Sequence, residues 1–128
     1  MKALPLQKKI LGNINIPIVI AKDPRMKLSK IMARFYGAQP STMIAVTGTN
    51  GKTSVANFTR QIWELLGKKA VNIGTAGVEG AVSISLSHTT PEPTLLHKIL
   101  YDLENSGVSH ASMEASSHGL EQRRVDGG

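Results

Sequence analysis

At 128 residues, with 41% apolar and 19% charged side chains, the chain can build one ordinary folded domain but hardly two, and its composition is not that of a disordered segment. It has no cysteine, which excludes disulfides and thiolate metal sites, and no run approaches the roughly 20 apolar residues of a membrane span. The net charge of +6 sits in the first half, where residues 1–60 carry ten basic side chains against one acid; with only 4% aromatics for base stacking, that half suits a polyanionic small molecule better than nucleic acid.

In chain order, the N-terminus offers Lys2, Lys8 and Lys9, but Pro5, Gln7, Gly12 and Asn13 interrupt any apolar leader, so a cytoplasmic protein is expected. Ile16–Ala21 reads as a strand. Asp23 is an N-cap candidate ahead of Pro24, and Leu28, Ile31, Met32 and Phe35 recur on one face of a helix that Gly37 and Pro40 end. A boundary near Gln39–Ser41 is expected to separate residues 1–40 from a second unit, 41–128.

That unit opens with the strand Met43–Val46, which breaks into Gly48-Thr49-Asn50-Gly51-Lys52-Thr53-Ser54 before a helix whose Val55, Phe58, Ile62 and Leu65 share a face. A buried strand ending in a Gly/Lys/Thr turn is what a triphosphate requires. Glycines let backbone N–H groups approach phosphate oxygens, the helix N-terminus adds partial positive charge, Lys52 supplies a full charge and Thr53 a hydroxyl for Mg²⁺. The common phosphate-loop spacing would place a glycine at position 46, where this chain has Val46; only Thr49 and Asn50 separate Gly48 from Gly51. The turn is tighter and its signal narrower.

Gly67 stops that helix and Ala70–Ile73 forms a third strand. Gly74, Gly77 and Gly80 mark a flexible crossing, and Val82, Ile84 and Leu86 alternate with serines as in a half-exposed strand. Thr89-Thr90-Pro91 is a turn, Thr94 a cap for a helix using Leu95, Ile99, Leu100 and Leu103, and Asn105-Ser106-Gly107 closes it. Val108–Glu114 is the last strand, followed by Ser116-Ser117-His118-Gly119-Leu120 and by Gln122 and Arg124. The alternation predicts an α/β fold with a mostly parallel sheet, whose strand carboxyl ends share one edge with the phosphate loop. A carboxylate there, Glu114, can complete a Mg²⁺ shell with Thr53 and the phosphates.

Taken together, the Thr47–Thr53 turn, His88-Thr-Thr-Pro91 and Met113-Glu-Ala-Ser-Ser-His-Gly-Leu120, with Gln122 and Arg124, resemble the Mur ligase family, and Arg34-Phe-Tyr-Gly37 resembles the junction between its first and central domains. The resemblance implies an ATP-dependent amide ligase of peptidoglycan synthesis that adds the third stem-peptide amino acid to UDP-N-acetylmuramoyl-L-alanyl-D-glutamate through an acyl phosphate. By the same resemblance Gly48–Ser54 would hold ATP, and Lys52 and Glu114 would be catalytic. Thr53 and Glu114 would hold Mg²⁺, and Thr89, Thr90, Ser116, Gln122 and Arg124 the UDP-muramoyl dipeptide, with His118 in support.

It also implies that the chain is the N-terminal part of the central ATP-binding domain behind a remnant of the substrate domain. Such a piece is expected to be incapable of ligation alone and, with an open sheet edge, prone to self-association. Two other readings stand beside it: a nucleotide-binding remnant without catalysis, and a ligase resembling folylpolyglutamate synthetase. Diaminopimelate and lysine are both open as the added amino acid.

Overall fold

The computed structural model describes residues 15–86 and 92–115. Its elements run α1 (Pro24–Tyr36), β1 (Thr42–Val46), α2 (Lys52–Leu65), β2 (Ala70–Gly74), β3 (Gly77–Gly80), β4 (Ile84–Ser85), α3 (Pro93–Asn105) and β5 (His110–Glu114). The five strands form one sheet in the order β1-β5-β2-β3-β4. β5 pairs in parallel with β1 and with β2, while β3 and β4 extend the sheet antiparallel. The strands that lead toward the expected site are therefore the parallel ones. The glycine crossing expected over Gly74–Gly80 is instead a tight hairpin, in which Gly74 pairs with Gly77.

The two faces of the sheet differ in chemistry. One buries Val71, Ile73, Val78, Ala111 and Met113 against Leu96, Ile99, Leu100 and Leu103 of α3, and this is the hydrophobic core. The other meets α2 largely through polar groups. Ser112 Oγ donates to the Ala56 carbonyl at 2.7 Å, Arg60 Nε donates to Asn72 Oδ1 at 2.7 Å, and Trp63 stacks edge-on against His110. Period-two alternation along β2 and β5 sends Asn72, Ser112 and Glu114 to this second face.

Helical periodicity locates apolar stripes correctly but not what they face. The α2 stripe of Val55, Phe58, Ile62 and Leu65 lies open, with Phe58 59% and Leu65 88% exposed; the sheet takes the Ala56 side of the helix instead. On α1, Leu28, Ile31 and Phe35 are likewise exposed, and the buried residue is Ser29, whose hydroxyl lies 3.4 Å from His97 Nε2 on α3. The α3 stripe runs through Leu96, not the half-exposed Leu95.

The remaining departures are local. Ile16–Ala21 forms no strand: Pro17 offers no N–H, and no sheet edge takes the segment. α1 begins as expected, Asp23 Oδ1 accepting from the Met26 N–H at 3.1 Å with Pro24 first in the helix, and ends at Gly37. α3 is capped at Glu92 rather than Thr94, because Pro93 already occupies the first helical position.

Candidate nucleotide site

The turn between β1 and α2 lies at the carboxyl end of a parallel strand, with Gly48, Thr49, Asn50 and Gly51 all exposed. Gly48 has φ 139° and Gly51 φ 81°, values that side-chain-bearing residues rarely adopt, so the turn depends on glycine at both points. Gly51 is the N-cap of α2 and makes no side-chain cap; the first turn also lacks an acid. The helix therefore presents backbone N–H groups and partial positive charge without a carboxylate of its own to neutralise them. Lys52 adds its ammonium, which reaches back over the turn to donate to the Gly48 carbonyl. Ser54 is exposed in the same first turn.

Thr53 is exposed but turns its hydroxyl toward the end of β5. Its Oγ1 donates to Glu114 Oε2 at 3.1 Å, across 61 residues of sequence. Glu114 ends β5 beside Val46 of β1 and is only 2% exposed. The fold thus joins the phosphate turn and the strand-end carboxylate. A hydroxyl and a carboxylate at the foot of an anion-binding turn form the oxygen donor set Mg²⁺ takes when phosphates complete its shell, so these residues fit that ion. Among the described residues no cluster of three or more histidine, cysteine or acidic side chains could hold a metal by itself. Thr89, Thr90, Ser116, His118, Gln122 and Arg124 lie outside the described residues.

Comparison with known proteins identifies the family. Residues 46–128 match the family model described as the Mur ligase middle domain. The chain belongs to the Mur ligase family.

Among curated Mur ligases, it is 58% identical over 118 residues to the UDP-N-acetylmuramoyl-L-alanyl-D-glutamate--2,6-diaminopimelate ligase of Chelativorans sp. (strain BNC1), an alignment covering 91% of this chain and 24% of that protein. The ligase of the same name from Brucella melitensis biotype 1 is 53% identical over the same shares. A solved structure titled as that ligase superposes with a TM-score of 0.76 at 32% identity, over 86% of this chain and 23% of the other. The chain spans about a quarter of the length of the relatives it matches.

Part of this candidate site carries no mark in the sequence. Thr53 and Glu114 line a small cavity of about 110 Å³ together with Asn72, Gly74, Thr75 and Glu79. Gly74 ends β2 and Thr75 follows it, while Asn72 lies two residues earlier in the strand. The rule that parallel strands converge their carboxyl ends on a ligand would have drawn attention to β2 as it did to β1 and β5. Reading Gly74 only as a flexible link hid it.

Proposed function

We propose that the chain is the nucleotide-binding part of an ATP-dependent ligase that joins diaminopimelate to UDP-N-acetylmuramoyl-L-alanyl-D-glutamate, the third-residue step of the peptidoglycan stem peptide. Support comes from membership of the Mur ligase family and from the names carried by its relatives. The observation that carries the reading is the Thr53–Glu114 contact beneath the glycine turn. Amides of Gly48–Gly51, the α2 N-terminus and Lys52 hold the phosphates, with Ser54 beside them. Thr53 and Glu114 hold Mg²⁺, which when bound offsets charge on the phosphate oxygens during transfer.

In the complete reaction a substrate carboxylate oxygen attacks the γ-phosphorus and ADP leaves. The amine of the incoming amino acid then attacks the acyl carbon, and inorganic phosphate departs as the amide forms. Thr89, Thr90, Ser116, Gln122 and Arg124 are proposed to hold the UDP-linked dipeptide, with His118 supporting them. Residues 41–128 form the early part of the ATP-binding domain and residues 1–40 its junction with a substrate domain. We propose that residues 1–128 by themselves bind nucleotide without completing ligation. A reaction that consumes ATP belongs in the cytoplasm; no helix among the described residues is long and apolar enough to cross a membrane.

Isothermal titration with ATP tests this reading. The chain binds ATP more tightly with Mg²⁺ than with EDTA, and Glu114→Gln loses most of that difference, about 1.5–3 kcal/mol for a contact to a charged group. Equal affinity with and without Mg²⁺ sinks it, and ligation by these 128 residues alone sinks the claim of incompleteness.

Self-association belongs to the same proposal. Thr42 N donates to the Ser109 carbonyl and Ala115 N to the Val46 carbonyl, so ladder alternation turns the N–H and C=O groups of Met43 and Ala45 to the edge of β1 that no other described strand covers. That edge, Thr42–Val46, has no charge or proline to discourage pairing, and the exposed α2 stripe flanks the same side of the sheet as Ile44. Sedimentation velocity is expected to show concentration-dependent dimers, and Phe58→Glu to return them to monomers. A monomer at every concentration refutes the pairing.

A further inference from the structure

Glu114 has two directions in which to lie. On the β1 side its register neighbour is Val46, which carries a branched side chain. On the β2 side the pairing of Ile73 with Met113 brings Gly74 alongside, and Gly74 has no side chain. The carboxylate takes the glycine side. A Cβ built on Gly74 would come well under 3.0 Å from Glu114 Oε1, closer than real Cβ contacts allow. The other oxygen, Oε2, receives the Thr53 hydroxyl. One carboxylate is thus laid across β2 by one oxygen and turned toward the phosphate turn by the other.

The far wall of this slot is also ordered. Asn72 is buried, and its Nδ2 lies 3.9 Å from where the Gly74 Cβ would stand. Its amide orientation is fixed chemically, because Arg60 Nε can only donate and therefore takes Oδ1, leaving Nδ2 toward the slot. Arg60 is itself held by Asn57 Oδ1 and by both Glu64 oxygens, each at 2.7 Å. The helix that begins at the phosphate turn therefore braces, two turns later, the wall beside the carboxylate.

We infer that Gly74 is a positioning residue for Glu114: by carrying no side chain it holds open the slot, walled by the Arg60–Asn72 pair, from which the carboxylate reaches Thr53. The inference rests on the reading of Glu114 as a Mg²⁺ ligand, and deepens it. A methyl group at position 74 pushes the carboxylate out of its slot and leaves the glycine turn untouched.

The test uses the 128-residue chain and its Gly74→Ala, Glu114→Asp and double variants. ATP affinity is measured with Mg²⁺ and with EDTA, and thermal midpoints are recorded alongside. Gly74→Ala is expected to lose about 10- to 100-fold of the Mg²⁺-dependent gain in ATP affinity, the range found when a supporting residue of a metal ligand is changed. Its affinity in EDTA stays within about twofold, since no phosphate contact is altered. A folded Gly74→Ala variant that keeps the full Mg²⁺-dependent gain overturns the inference.

Should Gly74→Ala fail to fold, the double variant decides. The Glu114→Asp change shortens the side chain by a methylene and clears the new methyl, so the thermal midpoint recovers toward that of Glu114→Asp alone; a double variant as unstable as Gly74→Ala overturns the slot. An unaltered chain with no Mg²⁺ dependence removes the metal reading instead, and the thermal cycle then judges the steric claim by itself.

Discussion

Lys52→Ala is expected to weaken ATP binding by about 1.5–3 kcal/mol, the worth of a hydrogen bond to a charged group, which is a factor of roughly 10 to 150. The lysine stands in the first turn of α2 with its ammonium folded over the glycine turn, and it takes no part in the hydrophobic core. Its removal therefore costs binding and leaves the thermal midpoint nearly unchanged, within about 0.5 kcal/mol. Lys68→Ala is the control. It removes the same charge from an exposed position beyond the opposite end of the helix, so the two variants separate a local phosphate contact from the general pull of a basic protein. Calorimetric titration at two salt concentrations reads the difference. Equal losses in both variants, or none in either, contradict the phosphate role of Lys52.

Leu100→Ala is expected to destabilise the fold by about 2–5 kcal/mol, the usual cost of truncating a buried leucine. Leu100 is fully buried among Val71, Ile73, Leu96 and Leu103, on the side of the sheet that carries the apolar core. A domain of this size has only about 5–15 kcal/mol in total, so the variant sits near the edge of folding. Leu95→Ala, one residue from the buried Leu96 and 44% exposed, is expected to cost less than about 1 kcal/mol. Urea denaturation followed by circular dichroism compares the two. Similar losses contradict the assignment of the α3 face.

Those two leucines mark where the sequence was legible and where it stopped. The existence and order of the helices, the phosphate turn and the strand ending in Glu114 all followed from periodicity and punctuation, since glycine, proline and capping residues act locally. Which face of each helix is buried did not follow, because that depends on the partner. α2 carries a clear apolar stripe, yet the surface of the sheet that it meets is built from Asn72, Ser112, His110 and Glu114, and so it offers Ala56 and Arg60 to that surface. The alternation of His110, Ser112 and Glu114 along β5 marks a polar face, but helix spacing alone does not disclose which helix will meet it.

The site was half legible for a related reason. Lys52 and Thr53 announced themselves through the turn, and Glu114 through its position at a strand end. Gly74 contributes by what it lacks, and an absent side chain becomes informative only when the neighbour that fills its space is known. Asn72 likewise looked like one polar interruption in an apolar strand until Arg60 gave it a direction.

The last described strand occupies the second place in the sheet, between β1 and β2. A ribosome therefore releases both flanking strands before the one that joins them, and neither can pair with the other while they wait. The Thr53–Glu114 contact beneath the glycine turn cannot form until residue 114 has emerged and β5 has inserted. Nucleotide capture by a nascent or refolding chain should then follow the insertion of β5 between β1 and β2, making bound ATP a reporter of that step.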